Sequence, residues 1–204
     1  MDNNKIMEVV KITKFFPGTV ALDGVDFDLK KCEIHAVVGE NGAGKSTLMK
    51  ILSGVYHKTS GKIYFDGIEQ NFTNPKQALD WGISVIYQEL ENLIKLTVAE
   101  NIFLGRLPKS ERLAGFINFN RLYKDTKELL GRLRIDINPR EIVENLSIAQ
   151  QHLIEIAKSL SHEVKVLIMD EPTSYLNKDE TEKLFNTIND IKSQGPKTVI
   201  DIIF

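Results

Sequence analysis

The sequence predicts an α/β fold, and three observations carry that prediction. A short apolar run, Ile34 to Val38, leads into a glycine-rich loop and then a helix-compatible run, Leu48 to Leu52. Ahead of it, Val25, Phe27 and Leu29 alternate with Asp26, Asp28 and Lys30, the pattern of a half-buried strand. Between Thr97 and Leu160 the apolar period changes from that of strands to that of helices.

The loop is the most informative stretch. Gly39 to Thr47 reads GENGAGKST and fits G-x-x-x-x-G-K-[ST] at every fixed position, in the strand–loop–helix setting that the pattern requires. Glycines at 39, 42 and 44 are expected to fold the backbone into a nest whose N–H groups converge on a phosphate. Lys45 adds a mobile positive charge, and the hydroxyl of Ser46 is placed to ligate Mg²⁺. The helix that follows turns its positive end to the same anion. A glycine-rich turn that merely precedes a helix would not satisfy all the fixed positions, so the loop is read as binding a nucleoside triphosphate.

Length and composition bound the rest. A chain of 204 residues forms one sizeable domain, or a core with a small subdomain. With 42% hydrophobic and 26% charged residues it is ordinary for a globular protein. The net charge of −2 gives no bulk attraction to nucleic acid, and Lys30-Lys31 is the longest basic run, so no nucleic-acid partner is expected. The single cysteine, Cys32, excludes an intrachain disulfide and is expected to pack at the start of a strand. Met1 to Asn4 lacks the features of a signal peptide, and no run of eighteen apolar residues occurs. Any membrane association is therefore expected to come through a partner. The four histidines, His35, His57, His152 and His162, have no metal-ligand spacing and are expected to be ordinary strand, loop and helix residues.

In chain order, Lys5 to Phe16 reads as a strand that pairs with the following one in an antiparallel layer. Phe15 and Phe16 precede the turn Pro17-Gly18; they read equally as core residues or as an exposed ring for a base. Gly54 is expected to cap the phosphate-loop helix, Lys62 to Phe65 to form a short strand, and Asp66-Gly67 to turn the chain. Pro75 opens a helix through Trp81, and Ile83 to Tyr87 is a buried strand ending at Gln88, where a polar side chain can reach a metal or water at the γ-phosphate. Leu122, Thr126, Leu129, Leu130 and Leu133, and then Leu153, Ile156, Ala157 and Leu160, recur at helical spacing. They predict a helical subdomain over about 91–161, inserted into a core and β subdomain over about 1–90 and 162–204.

Lys165 to Met169 is a buried-strand run that ends in Asp170-Glu171. Two adjacent carboxylates at such a tip oppose folding unless they hold a metal or water. Alternation along the strand aims them differently, so Asp170 is assigned to Mg²⁺ and Glu171 to the water that attacks the γ-phosphate. A helix from Lys178 to Ile191 is expected to turn Leu184, Phe185, Ile188 and Ile191 inward, and Thr198 to Phe204 reads as a final strand.

A second motif, Leu146-Ser147-Ile148-Ala149-Gln150-Gln151, resembles the LSGGQ signature of ABC-type ATPases. With its Ser-Ile start and Gln-Gln end it is most similar to the branch that imports monosaccharides such as ribose, galactose and xylose. GENGAGKSTLMKILSGV, the Gln88 loop, ENIFLGR and KVLIMDEPTS agree in order and spacing, so the resemblance spans nearly the whole chain. It implies a P-loop NTPase (RecA-like) core, an antiparallel β subdomain and a helical subdomain that docks on a membrane permease. It further implies that two such domains pair head to tail, each ATP lying between the phosphate loop of one and Leu146, Ser147, Ala149 and Gln150 of the other. Phe16 becomes the adenine-stacking ring, with Gly39, Asn41, Gly42, Gly44, Lys45, Ser46 and Thr47 binding the nucleotide. Ser46, Gln88 and Asp170 serve the Mg²⁺; Lys45, Gln88 and Glu171 take part in hydrolysis, with Glu171 the general base. The implied setting is the inner face of the cell membrane, on a permease fed by a sugar-binding protein.

Three departures from that pattern carry an expectation. Ala149 stands where the family has a second glycine, Tyr175 where it has a small alanine, with Asn177 beside it, and Phe204 on the position of the switch histidine. A phenyl ring donates no hydrogen bond to phosphate or water. Importers of this branch carry two ATPase halves, and this chain resembles the first. The chain is therefore expected to bind ATP–Mg and to hydrolyse it poorly alone. Rival readings are a GTPase or small-molecule kinase, a non-transport ABC-type ATPase, and a catalytically silent nucleotide-binding module. Asn177-Lys178-Asp179-Glu180 ends in Glu where a guanine-reading N-K-x-D needs Asp, and a kinase leaves the signature unexplained.

Overall fold

The computed structural model describes residues 4–87, 90–110, 115–170, 176–193 and 198–203. It divides into two compact units, the first made of residues 1–86, 164–171 and 192–204 and the second of residues 87–163 and 172–191.

The first unit holds two sheets. Strands β1 (Lys5–Phe16), β2 (Thr19–Lys30), β4 (Ser60–Phe65) and β5 (Ile68–Gln70) form an antiparallel sheet in the order β2-β1-β4-β5. Strands β3 (Ile34–Val38), β6 (Ile83–Ile86), β7 (Val166–Asp170) and β8 (Thr198–Ile203) form a parallel sheet in the order β3-β8-β7-β6. Helix α1 (Lys45–Leu52) follows β3, and the short α2 (Pro75–Asp80) precedes β6. One apolar core joins Met7, Val9 and Ile12 of β1, Ile63 and Phe65 of β4, Leu48, Met49, Ile51 and Leu52 of α1, and Ile83, Val166 and Ile168 of the parallel strands. α1 is thus held by its apolar face against both sheets, which fixes the loop at its N-terminus. β3 lies at an edge and alternates between half-buried and exposed, with Val38 72% exposed, so its apolar run is less enclosed than its composition suggests.

One local reading differs from expectation, and two others are made definite. Cys32 is exposed in the turn between β2 and β3 with φ +61°, not packed at a strand start; the tight turn lifts it out of the ladder. Phe15 is exposed at the end of the β1–β2 hairpin. Gly54 takes the left-handed conformation just past α1, at φ +74°, with Ser53 as the capping residue.

The second unit is helical: α3 (Val98–Ile102), α4 (Phe119–Arg132), α5 (Ile148–Leu160) and all but the last two residues of α6 (Lys178–Ser193). α3 packs against both α4 and α5. α4 buries Leu122, Thr126, Leu129 and Leu130, and the hydroxyl of Thr126 donates to the Leu122 carbonyl, so this polar residue is paired within the helix. α6 buries Leu184 and Ile188, but Phe185 is exposed, because it stands one residue, about 100°, round from that stripe. No helix among the described residues is long and apolar enough to cross a membrane.

Candidate nucleotide site

The phosphate loop leaves β3 and closes on α1 through its glycines. Gly42 and Gly44 adopt φ +82° and +91°. A Cβ on Gly44 would lie 2.6 Å from the Ala21 carbonyl oxygen and 2.7 Å from the Leu22 side chain, so the close approach of β2 leaves room only for hydrogen. Gly39 is different: its φ is ordinary and an added Cβ would make normal contacts at 3.7 and 3.8 Å, so the nest does not need a glycine there. Gly44 caps α1 with no side-chain acceptor, and no acidic residue occupies the first turn, so the positive end of the helix is left for an anion.

Lys45 is 7% exposed, and its ammonium donates to the carbonyls of Gly39 and, at 2.9 Å, Glu40. The cation thus lies folded across its own loop. The Ser46 hydroxyl donates to Oδ1 of Asp170 at 3.5 Å, joining the start of α1 to the tip of β7. Both groups stand at the carboxyl end of the parallel strands, the edge at which open α/β sheets take their ligands. Burial pushes the Asp170 carboxyl above the usual carboxylate range, against the opposing pull of Lys50, the Ser46 hydroxyl and Lys45. Such a carboxylate, short of counter-charge, fits a hard cation. Among the described residues no three His, Cys, Asp or Glu gather to form a metal cage. A cation here would therefore take the Ser46 hydroxyl and Asp170 together with water and phosphate oxygens, which is how Mg²⁺ is held beside nucleotides.

Phe16 is half-buried and meets Tyr56 edge to face, with centroids 5.3 Å apart. The Lys14 ammonium sits 4.8 Å from the Phe16 centroid and donates to the His57 carbonyl at 2.8 Å. Sequence reading missed Lys14 and Tyr56. Lys14 was accessible to it, since residues i and i+2 of a strand share a face; Tyr56 meets Phe16 only through the fold. Asn41 is exposed on the loop and Thr47 is half-buried.

The signature residues belong to the second unit. Ser147 caps α5, accepting from Gln150 N–H at 3.3 Å, while the Gln150 side chain accepts from Ser147 N–H at 3.0 Å. Ser147 stays exposed, and its hydroxyl proton is not used by the cap. Leu146 is half-buried just before the helix. Ala149 lies in the first turn of α5 without a positive φ, so the alanine carries no backbone strain; what it adds is a Cβ. Gln88, Glu171, Tyr175 and Phe204 lie outside the described residues.

These features define a phosphate-loop nucleotide-binding fold, and comparison places it more closely. The model of the ABC transporter family matches residues 22–174, and the chain belongs to that family, whose members bind ATP. It is 47% identical over 196 residues to the galactose/methyl galactoside import ATP-binding protein of Clostridium tetani, covering 96% of this chain and 39% of that protein. To the xylose import ATP-binding protein of Geobacillus kaustophilus it is 49% identical over 193 residues, covering 93% of this chain and 38% of that protein. The chain thus spans about two fifths of the length of these relatives. Among solved structures, an ATP-binding cassette of an ABC transporter in its ADP conformation superposes with a TM-score of 0.82 at 27% identity, covering 97% of this chain and 80% of that one.

Proposed function

We propose that this chain is the ATP-binding and ATP-hydrolysing part of an importer that moves a sugar through a membrane permease. The observation that carries the reading is the Ser46–Asp170 pair beside a loop whose Gly44 admits no Cβ. The similarity to galactose and xylose import proteins supports the sugar, and the family supports the permease.

In this reading the loop amides and the opening of α1 take the β- and γ-phosphates, and Lys45 exchanges its loop carbonyls for phosphate oxygens. Phe16 stacks on adenine, with Asn41 and Thr47 completing the nucleotide contacts. Ser46 and Asp170 hold Mg²⁺ with Gln88, and the ion supplies charge neutralisation to the phosphates. Glu171 orients and deprotonates the attacking water. Leu146, Ser147, Ala149 and Gln150 face the nucleotide of a second ATPase domain paired head to tail; the Ser147 hydroxyl proton and the amides opening α5 are their anion donors. The helical part, about 91–161, serves docking on the permease. That contact holds the chain at the cytoplasmic face of the membrane, where a sugar-binding protein supplies the cargo from the other side.

Turnover by this chain alone is slow, because Ala149 inserts a methyl at the signature and Phe204 offers no donor where a histidine acts. Phe204 also favours a second reading, a module that binds ATP and does not cleave it. Steady-state and single-turnover hydrolysis by the purified chain test both. Slow cleavage abolished by Glu171→Gln supports the proposal, fast steady-state turnover contradicts the weak-activity part, and ATP binding without any cleavage favours the silent module.

A further inference from the structure

The signature turn is held at both ends by one strap, residues 92–98, and two asparagines that the nucleotide site does not use serve it: Asn92 within the strap and Asn101 in α3 beside it. Upstream of the turn, the Glu144 amide donates to the Ile94 carbonyl at 2.9 Å and the Val143 amide to the Leu96 carbonyl at 3.1 Å. Val98 N–H in turn donates to the Glu141 carbonyl at 2.9 Å, and Thr97 bridges to Ile142. Lys95 adds an ion pair to Glu144 at 2.6 Å. Downstream of the turn, Asn92 Nδ2 donates to the Gln151 carbonyl at 3.1 Å, and Gln151 Nε2 reaches back to the Leu146 carbonyl at 3.1 Å. Leu146 to Gln150 is thereby clamped from both sides by a single stretch of chain.

The strap has its own lock. Asn101, 1% exposed, accepts from the Leu93 amide at 2.8 Å and donates to the carbonyls of Leu93 and Thr97 at 3.1 and 3.0 Å. All of these bonds run back to the strap, so the burial of this amide is compensated only while the strap keeps its shape. Asn92 is the opposite case: its Oδ1 is buried without a hydrogen-bond partner, so the single bond to Gln151 is what offsets its placement.

We propose that Asn101 and Asn92 are positioning residues for the signature: Asn101 sets the shape of the 92–98 strap, and Asn92 fastens that strap to the first turn of α5, fixing where Ser147 presents its hydroxyl and amides. The inference rests on the reading of the chain as an ATPase. It assigns no contact with nucleotide to either residue, so their loss affects the step that uses the signature and spares binding at the phosphate loop.

Asn92→Ala is the decisive variant, with Asn101→Ala as the harsher one, in the purified chain at a concentration high enough for association. ATP–Mg affinity, single-turnover hydrolysis and amide exchange of residues 147–151 are measured together. The loss of one hydrogen bond predicts for Asn92→Ala roughly fivefold faster exchange at 147–151 and roughly fivefold slower cleavage, with ATP affinity unchanged. Asn92→Gln, which restores an amide donor, is expected to recover part of both. Asn101→Ala is expected to release the Leu93 amide as well. Wild-type exchange and cleavage in Asn92→Ala would overturn the inference, as would a loss of ATP affinity in step with cleavage, the mark of a merely structural role. Absence of ATP binding by the parent chain would overturn the ATPase reading itself and the inference with it.

Discussion

Lys45 answers its own loop carbonyls with the charge that a phosphate is expected to draw, and Gly44 lets the loop approach β2 closely enough for that arrangement to exist. Gly44→Ala is accordingly predicted to cost about 1–3 kcal/mol and to weaken ATP binding, because the methyl meets the Ala21 carbonyl and the backbone holds a positive φ. Thermal unfolding and nucleotide titration check it; Gly39→Ala, where space is ordinary, is the control with a small effect. Asp170 yields a pH-dependent prediction. Its carboxyl is raised by burial, so its folded form favours the proton, and the stability this gives is present below the unfolded value near 3.8 and lost as pH rises through the folded value. Asp170→Asn is therefore expected to raise the melting temperature near neutral pH, with the gain shrinking toward about pH 4, and at the same time to weaken Mg²⁺-dependent ATP binding. The loop and Asp170 were legible because each is a local pattern with a chemical reason. Tyr56 beside Phe16, and the lack of need for glycine at 39, were not, since they depend on what the fold brings near.

Helices α1 and α5 show how an element carries the site. α1 has its buried residues at Leu48, Met49, Ile51 and Leu52, and Leu52 is fully buried; Leu52→Ala should cost about 2–5 kcal/mol by cavity formation and lower nucleotide affinity as the start of the helix loosens. Denaturant unfolding with and without ATP–Mg separates the two effects. α5 was read from period alone, and that period placed its apolar stripe correctly except that Leu153 is only half-buried. It could not show that His152, 2% exposed, has no hydrogen-bond partner at either ring nitrogen, or that Glu155 beside it has one oxygen unpaired. Burial lowers the His152 pKa below 6.5, so the folded state prefers the neutral ring and stability falls as pH drops below that value. Burial raises the Glu155 pKa, with Lys158 opposing, which acts in the reverse sense. His152→Leu removes an unpaired polar ring and is expected to stabilise the chain by about 1 kcal/mol, more at pH 6 than at pH 8. A melting series across that range checks the sign. Phe185 and Cys32 mark the limits of pattern reading at this scale: one residue of phase on a helix, or one tight turn, exchanges inside for outside.

At the scale of the whole molecule, the ordered set of motifs made the family legible, because it fixes which strand tips carry which groups. The parallel sheet, with the loop after β3 and Asp170 at the end of β7, follows that order. What stayed hidden is how segments distant in sequence clamp one another, such as residues 92–98 on the signature turn, since backbone hydrogen bonds across a loop leave no composition or period to read. The proposed function requires that ATP–Mg bind through the Gly39–Thr47 loop together with Asp170. Calorimetric titration of the purified chain tests it most directly. Saturable binding of one ATP per chain is expected, stronger with Mg²⁺, preferred over GTP, lost in Lys45→Ala and weakened in Asp170→Asn only when Mg²⁺ is present. Binding that is absent, that favours GTP, or that survives Lys45→Ala unchanged would contradict it.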